Sequence, residues 1–155
     1  MSMPIQKPGR SIQTYGTPWE LIRAVQVRIG DSFNWDLAAS QENTKALFYF
    51  GESQDSFAQD WSKLNGWLWL NPPYANISPW AEKCWRESEK GAKICFLVPA
   101  SVGSNWFADF VHEKSLVLAI RPRITFIGQE DPYPKDCIIA VYGIGKTGFE
   151  TWKWQ

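Results

Sequence analysis

An α/β fold, with a mostly parallel sheet and helices on both of its faces, is predicted by three features of this sequence. Apolar runs alternate with segments of helical spacing. The runs at 66–70 (GWLWL) and 92–98 (AKICFLV) show no polar alternation, as expected of strands buried on both faces. The last two strand-like stretches, 116–128 and 136–143, are joined by a turn with no helix between them, which makes them antiparallel. At 155 residues and 45% hydrophobic composition the chain suits one domain with one core, and a disordered, solvated chain is excluded.

Residues 1–14 are polar, with Lys7, Pro8, Gly9 and Arg10, and read as a flexible arm ahead of a domain over 15–155. Thr17 suits an N-cap and Pro18 the first position of a helix, in which Trp19, Ile22, Val25 and Ile29 share a face and Gly30 is the stop. Residues 33–38 (FNWDLA) suit a buried strand ending at Ala39 and Ser40, whereas over 41–51 periodicity does not separate a short helix from irregular chain. The strand at 66–70 is cut off by Asn71-Pro72-Pro73-Tyr74. A helix from Pro79, with Trp80 and Cys84 on related faces, runs to Gly91, and the strand after it stops at Pro99. Residues 104–114 read as a further helix.

Composition narrows the function. Sixteen Lys and Arg balance sixteen Asp and Glu, which argues against a protein that coats nucleic acid, because that affinity comes from clustered cations; a local basic patch remains sufficient for brief contact. Cys84, Cys95 and Cys137 are odd in number and widely spaced, so they read as free thiols in a reducing compartment. His112 stands alone and reads as a surface or helix-end residue, and no metal site is expected from so sparse a ligand set. No apolar run approaches the ~20 residues that cross a membrane, so a soluble, intracellular protein without membrane contact is expected. Ten Trp suit either core or the stacking of flat ligands.

Asn71-Pro72-Pro73-Tyr74 carries most of the chemical information, because it follows a buried strand at the edge where α/β proteins bind ligands. On its own it also suits a plain strand stop and turn. Together with YGTPWELI at 15–22, WDLAAS at 35–40, Asp60-Trp61, LNPPYANISPWAEKC at 70–84, LVPAS at 97–101 and PYPKDCIIAVYG at 132–143, it makes the chain resemble the phage-type, Dam-like DNA N6-adenine methyltransferases, over roughly Tyr15 to Gly143. The resemblance implies an abbreviated, Rossmann-like methyltransferase sheet, mostly parallel with an antiparallel C-terminal hairpin and no separate target-recognition domain. It implies S-adenosylmethionine as methyl donor, double-stranded DNA with a flipped adenine as substrate, and the cytoplasm of a bacterial host of a phage or prophage as the setting. No oligomeric state follows from it.

The residue types fit that chemistry. Adenine's exocyclic amine is a poor nucleophile because its lone pair is delocalised into the ring. Hydrogen bonds accepted by the Asn71 side-chain oxygen and the Pro72 carbonyl favour a pyramidal nitrogen and stabilise the charge that develops on it. Pro72 and Pro73 hold that carbonyl in place beforehand, and Tyr74 offers a flat face to the base. By resemblance, Thr17 and Pro18 with Tyr15 close on the cofactor's methionine end, Asp36 faces its cationic groups, and Asp60 and Trp61 grip its adenine, with Glu52 a weaker candidate for the ribose.

The chain departs from larger methyltransferases in having Leu37-Ala38-Ala39-Ser40 where they carry a Gly-rich loop; Ala38 and its neighbours are still small enough for close backbone approach. The segment between Asp36 and Asn71 is also short for a full strand-helix-strand unit. Structural roles stay open beside these assignments: Asp36 as a turn cap, Asp60 as a helix cap, Trp61 as core. Arg10, Arg121, Arg123 and Lys135 are candidate phosphate contacts, Trp80 and Trp106 candidate neighbours of the target pocket, and the loops at 75–80 and 128–136 candidate readers of sequence. Two other functions remain open on the residues: transfer to RNA or a protein amide, and a non-catalytic Trp-rich module that binds nucleic acid or sugar.

Overall fold

The computed structural model describes residues 16–155, so the arm at 1–14, Arg10 within it, and Tyr15 lie outside the described residues. Helix α1 spans Trp19–Ile29 and stops at Gly30, whose left-handed backbone lets its N–H reach Gln26 O. The start differs from expectation. Pro18 occupies the cap position and no side chain caps the helix, because the Thr17 hydroxyl is engaged elsewhere.

Strand β1 (Phe33–Asp36) is followed by turns and a two-residue strand β2 (Phe48–Tyr49). Two short 3-10 turns, Ser56–Ala58 and Trp61–Lys63, then lead to β3 (Trp67–Leu70). The helix that usually joins parallel strands is absent from both connections, which is the abbreviation the short spacing implies. Helix α2 (Ser78–Glu89), β4 (Lys93–Pro99), α3 (Asn105–Phe110), β5 (Leu116–Arg121), β6 (Cys137–Tyr142) and β7 (Gly148–Lys153) complete the chain.

One seven-stranded sheet results, in the order β2-β1-β3-β4-β6-β5-β7. All neighbours are parallel except on either side of β6, which runs antiparallel between β4 and β5. The expected antiparallel relation of β5 and β6 is therefore present. Three stretches differ from their sequence reading. β5 ends at Arg121, because Pro122 has no N–H to continue the ladder. α3 is only six residues long. The terminal segment forms β7, an edge strand parallel to β5 that the polar-apolar mixture of GFETWK does not announce.

Strand alternation divides the core. Leu68, Leu70, Ile94, Phe96 and Val98 face α2 and α3 through Ala81, Cys84 and Phe107. Trp67, Trp69, Cys95 and Leu97 face α1 through Leu21, Ile22 and Val25. Both faces are covered, which explains why β3 and β4 read as unbroken apolar runs.

Gly143 closes β6 with a positive φ of 84°, and a Cβ there would lie 2.9 Å from Ala92 O and 3.2 Å from Lys93 Cα. Both neighbours are backbone and cannot turn aside. Gly143→Ala should therefore destabilise the fold by about 2 kcal/mol or more. A lowered urea midpoint at unchanged slope would report it; an unchanged midpoint would contradict this account.

Candidate functional site

Strands β1, β3 and β4 run parallel, so Asp36, Leu70 and Pro99 end at one edge of the sheet, and Asn71 stands on that edge directly after β3. Asn71 is half-buried and pinned at both ends of its amide. Its Nδ2 donates to Thr17 Oγ1 at 3.1 Å, and the Tyr74 hydroxyl donates to its Oδ1 at 2.6 Å. Burial pushes the Tyr74 phenol well above its ordinary pKa, which keeps it a neutral donor. Pro72 is buried and Pro73 half-buried behind this pair.

The Tyr74 ring already has a partner. Tyr133, in the loop between β5 and β6, meets it edge-on at 6.0 Å and 62°, and Phe126 meets Tyr133 at 5.6 Å and 82°. That loop also bridges to Gly16 through Ile127. Distant segments thus converge on Asn71, and Tyr133 and Lys45 join the site without having been singled out in the sequence. A lone Tyr in a Pro-rich turn and a lone Lys in a polar loop carry no periodic signal.

Asp36 is 3% exposed. Its Oδ1 accepts the Ala38 N–H at 3.3 Å and its Oδ2 the Lys45 N–H at 3.0 Å, so the carboxylate holds the start and finish of the β1–β2 connection. Ala38 lines the site beside it.

Three adjoining spaces follow this edge. The largest of them, about 700 Å³, lies between Ser40–Asn43 and Gly51–Gln54, and most of the residues around it are polar, Glu52 among them. The second, about 280 Å³, is lined by Leu37, Ala38, Phe50, Phe57, Pro73 and Trp80 among others, with the Phe57 and Trp80 rings 4.2 Å apart. Ser56 also lines it, and its buried hydroxyl has no hydrogen-bond partner among the described residues. The third, about 10 Å³, has room for about one water beside Thr17, Asp36, Lys45 and Asn71.

Asp60 and Trp61 do not line these spaces. Asp60 is exposed and accepts from the Ser62 hydroxyl at 2.6 Å, which with the Lys90 and Lys63 charges lowers its pKa. Trp61 is fully buried, between Trp80 at 6.4 Å and the Lys83 ammonium at 4.9 Å, and its indole N–H donates to Ser56 O at 3.0 Å. It supports the Ser56–Phe57 wall from behind. Asp55, which the sequence reading passed over, lines the second space and caps the first 3-10 turn through Phe57 N at 3.0 Å. Trp80 lines that space, whereas Trp106 packs on the core. Arg121, Arg123 and Lys135 are exposed at the same sheet edge, Arg123 being paired with Asp136 at 2.9 Å. His112 is exposed just beyond α3. Among the described residues no group of three or more Asp, Glu, His and Cys is placed to hold a metal ion.

Burial pushes the Asp36 carboxyl from its ordinary 3.8 up to about 7, outweighing the two N–H donors and the Lys45 charge, which pull it down. The folded chain therefore holds a proton that the unfolded chain releases between those values. This contribution to stability is full below about pH 4 and is lost as pH rises toward 7. The stability difference between the unaltered chain and Asp36→Asn should fall across that window, by no more than about 4 kcal/mol, and level off above it. Urea titrations at stepped pH would measure it, and a difference that grows with pH would refute the assignment.

Residues 6–137 match the family model described as DNA N-6-adenine-methyltransferase (Dam). The chain is 28% identical over 134 residues to the DNA N-6-adenine-methyltransferase of Escherichia phage T1, covering 86% of this chain and 55% of that protein. It is 27% identical over 118 residues to the protein of the same name from Haemophilus phage HP1 (strain HP1c1), covering 75% and 67%. The chain thus spans only about half to two thirds of the length of these relatives. No solved structure matches it. With most of its length under the family model, the chain belongs to the DNA N-6-adenine-methyltransferase (Dam) family.

Proposed function

We propose that this chain transfers a methyl group from S-adenosylmethionine to the N6 amine of adenine in DNA, in the cytoplasm of a bacterial host. The observation that carries the reading is Asn71, held by Thr17 and Tyr74 at the head of Asn71-Pro72-Pro73-Tyr74 on the carboxyl edge of the sheet. An amide oxygen has two lone pairs. With the Tyr74 hydroxyl on one, Asn71 Oδ1 keeps the other for an amine hydrogen, and the Pro72 carbonyl takes the second hydrogen. Thr17 fixes which end of the amide faces the base, so the acceptors are oriented before the substrate arrives.

The donor supplies an electrophilic methyl on a sulfonium. The residues present fit such a ligand: the aromatic space, with a Ser56 hydroxyl that has no partner among the described residues, suits a purine, and the space at Glu52, lined by polar side chains, suits ribose hydroxyls. Phe57 and Trp80 take the flat-walled role, with Asp60 and Trp61 supporting them. The sheet is read as a Rossmann-like methyltransferase sheet shortened between β1 and β3, and residues 15–155 as one catalytic domain. The target base approaches Asn71 from the carboxyl edge of the sheet, where Arg121 at the end of β5 and Arg123 and Lys135 in the β5–β6 loop face the phosphates.

Incubation with labelled S-adenosylmethionine and duplex DNA, followed by nucleoside analysis, should yield N6-methyladenine; none with any duplex would refute the proposal. Asn71→Ala should lower turnover by roughly 10²–10³. Arg121→Gln should weaken DNA binding uniformly across sequences and reduce the salt slope of log affinity by about 1. Anisotropy titrations at several salt concentrations would test this, and an unchanged slope would remove Arg121 from the interface.

A further inference from the structure

A base inside a duplex reaches Asn71 only by leaving the stack, and the gap it leaves is costly until something fills it. The β5–β6 loop carries a side chain suited to that. Ile124 and Phe126 are buried, whereas Ile127 is 51% exposed, at the tip of a four-residue turn closed by the Gln129 N–H on Phe126 O at 3.0 Å. The turn is fastened to the site. The Ile127 N–H donates to Gly16 O at 2.9 Å, and a Cβ at Gly16 would lie 3.2 Å from Ile127 Cδ1, while the adjoining Thr17 holds Asn71. Phe126 packs on Tyr133 and Tyr133 on Tyr74, so those rings are engaged with one another, and Ile127 is the large apolar side chain that this loop leaves to solvent. The charges around it are arranged to match. Arg121, Arg123 and Lys135 are exposed where the loop leaves and rejoins the sheet, but the tip from Phe126 to Gln129 has no charge and is followed by Glu130 and Asp131. A tip without cations, bordered by carboxylates, does not hold phosphates, so its contact with a duplex anchored at the feet of the loop is apolar.

We propose that Ile127 is a wedge that enters the base stack from the β5–β6 loop and takes the place of the adenine drawn out to Asn71. Apolar side chains inserted at a base step unstack it, and the surface they bury there offsets part of the cost. A side chain branched at Cβ has few rotamers, so little conformational entropy is lost when it is confined between base pairs. The bond to Gly16 fixes how far the wedge stands from the segment that orients Asn71, so the gap is filled and the base received in one geometry. This inference rests on the methyltransferase reading and deepens it by naming what occupies the duplex while the target is out.

The test is a chemical rescue. A duplex in which the unaltered chain forms N6-methyladenine at one position is compared with the same duplex carrying a pyrene nucleotide opposite that adenine, because pyrene fills the stack and pushes the base out unaided. Ile127→Ala should methylate the ordinary duplex about tenfold or more slowly than the unaltered chain, and the pyrene duplex at a rate close to it. Ile127→Leu, apolar and of the same volume, should keep most of the rate on both. A defect in Ile127→Ala that persists on the pyrene duplex would mean that the residue only supports the loop, and would overturn the proposal. Full activity of Ile127→Ala on the ordinary duplex, or a loss in Ile127→Leu as large as in Ile127→Ala, would overturn it too. If the unaltered chain methylates no duplex, the methyltransferase reading falls and this assignment with it; methylation that does not depend on Ile127 leaves that reading standing and removes the wedge alone.

Discussion

The carboxylate of Asp36, buried at the end of β1, is the constraint on which the site is built. No helix joins β1 to β2; Leu37 and Ala39 stay on the sheet by donating to Trp69 O and Phe50 O, and no helix or strand holds the segment between them and β2. Asp36 ties that segment down by accepting the N–H groups of Ala38 and Lys45. Those two bonds set the small-residue turn, and they bring Lys45 to the same narrow space as Asn71. The cost is visible in the carboxyl's pKa, where desolvation outweighs every favourable contact.

Around it, some groups face the three spaces and others hold those groups still. Asn71 is oriented by Thr17 from one side and Tyr74 from the other, and Tyr74 is tied through Tyr133 and Phe126 to the loop that follows β5. On the opposite flank, Trp61 fixes the Ser56–Phe57 wall through Ser56 O. Glu87 of α2 anchors the adjacent turn by accepting the Ser62 N–H at 2.9 Å while Lys90 and Lys83 neutralise it. Such supports place polar groups before a substrate arrives, which lowers the entropic cost of reaching a reactive geometry. A shortened connection between strands is tolerable because individual buried polar groups take over the positioning a helix would provide.

Local chemistry made much of this protein legible from its sequence. α1 with its Gly30 stop, the buried strands β3 and β4, α2 and the antiparallel relation of β5 to β6 follow from periodicity, apolar runs and breakers, all of which act over a few residues. Asn71-Pro72-Pro73-Tyr74 at a strand end was legible for the same reason, since prolines and a polar turn mark the edge where ligands bind. What only the tertiary structure decided depends on contacts between distant segments. Thr17, a plausible cap by its neighbours, gives up that role for an Asn71 amide 54 residues away. Trp61 lies behind the cavity wall while Phe57 and Trp80 form it, and Lys45 becomes a buried charge beside Asn71. β7 exists because β5 offers a free edge, whatever its own composition. Sequence pattern reports what a residue prefers among its neighbours in the chain, whereas burial and hydrogen-bond partners are set by which surfaces the sheet brings together, and at this site the latter preference wins.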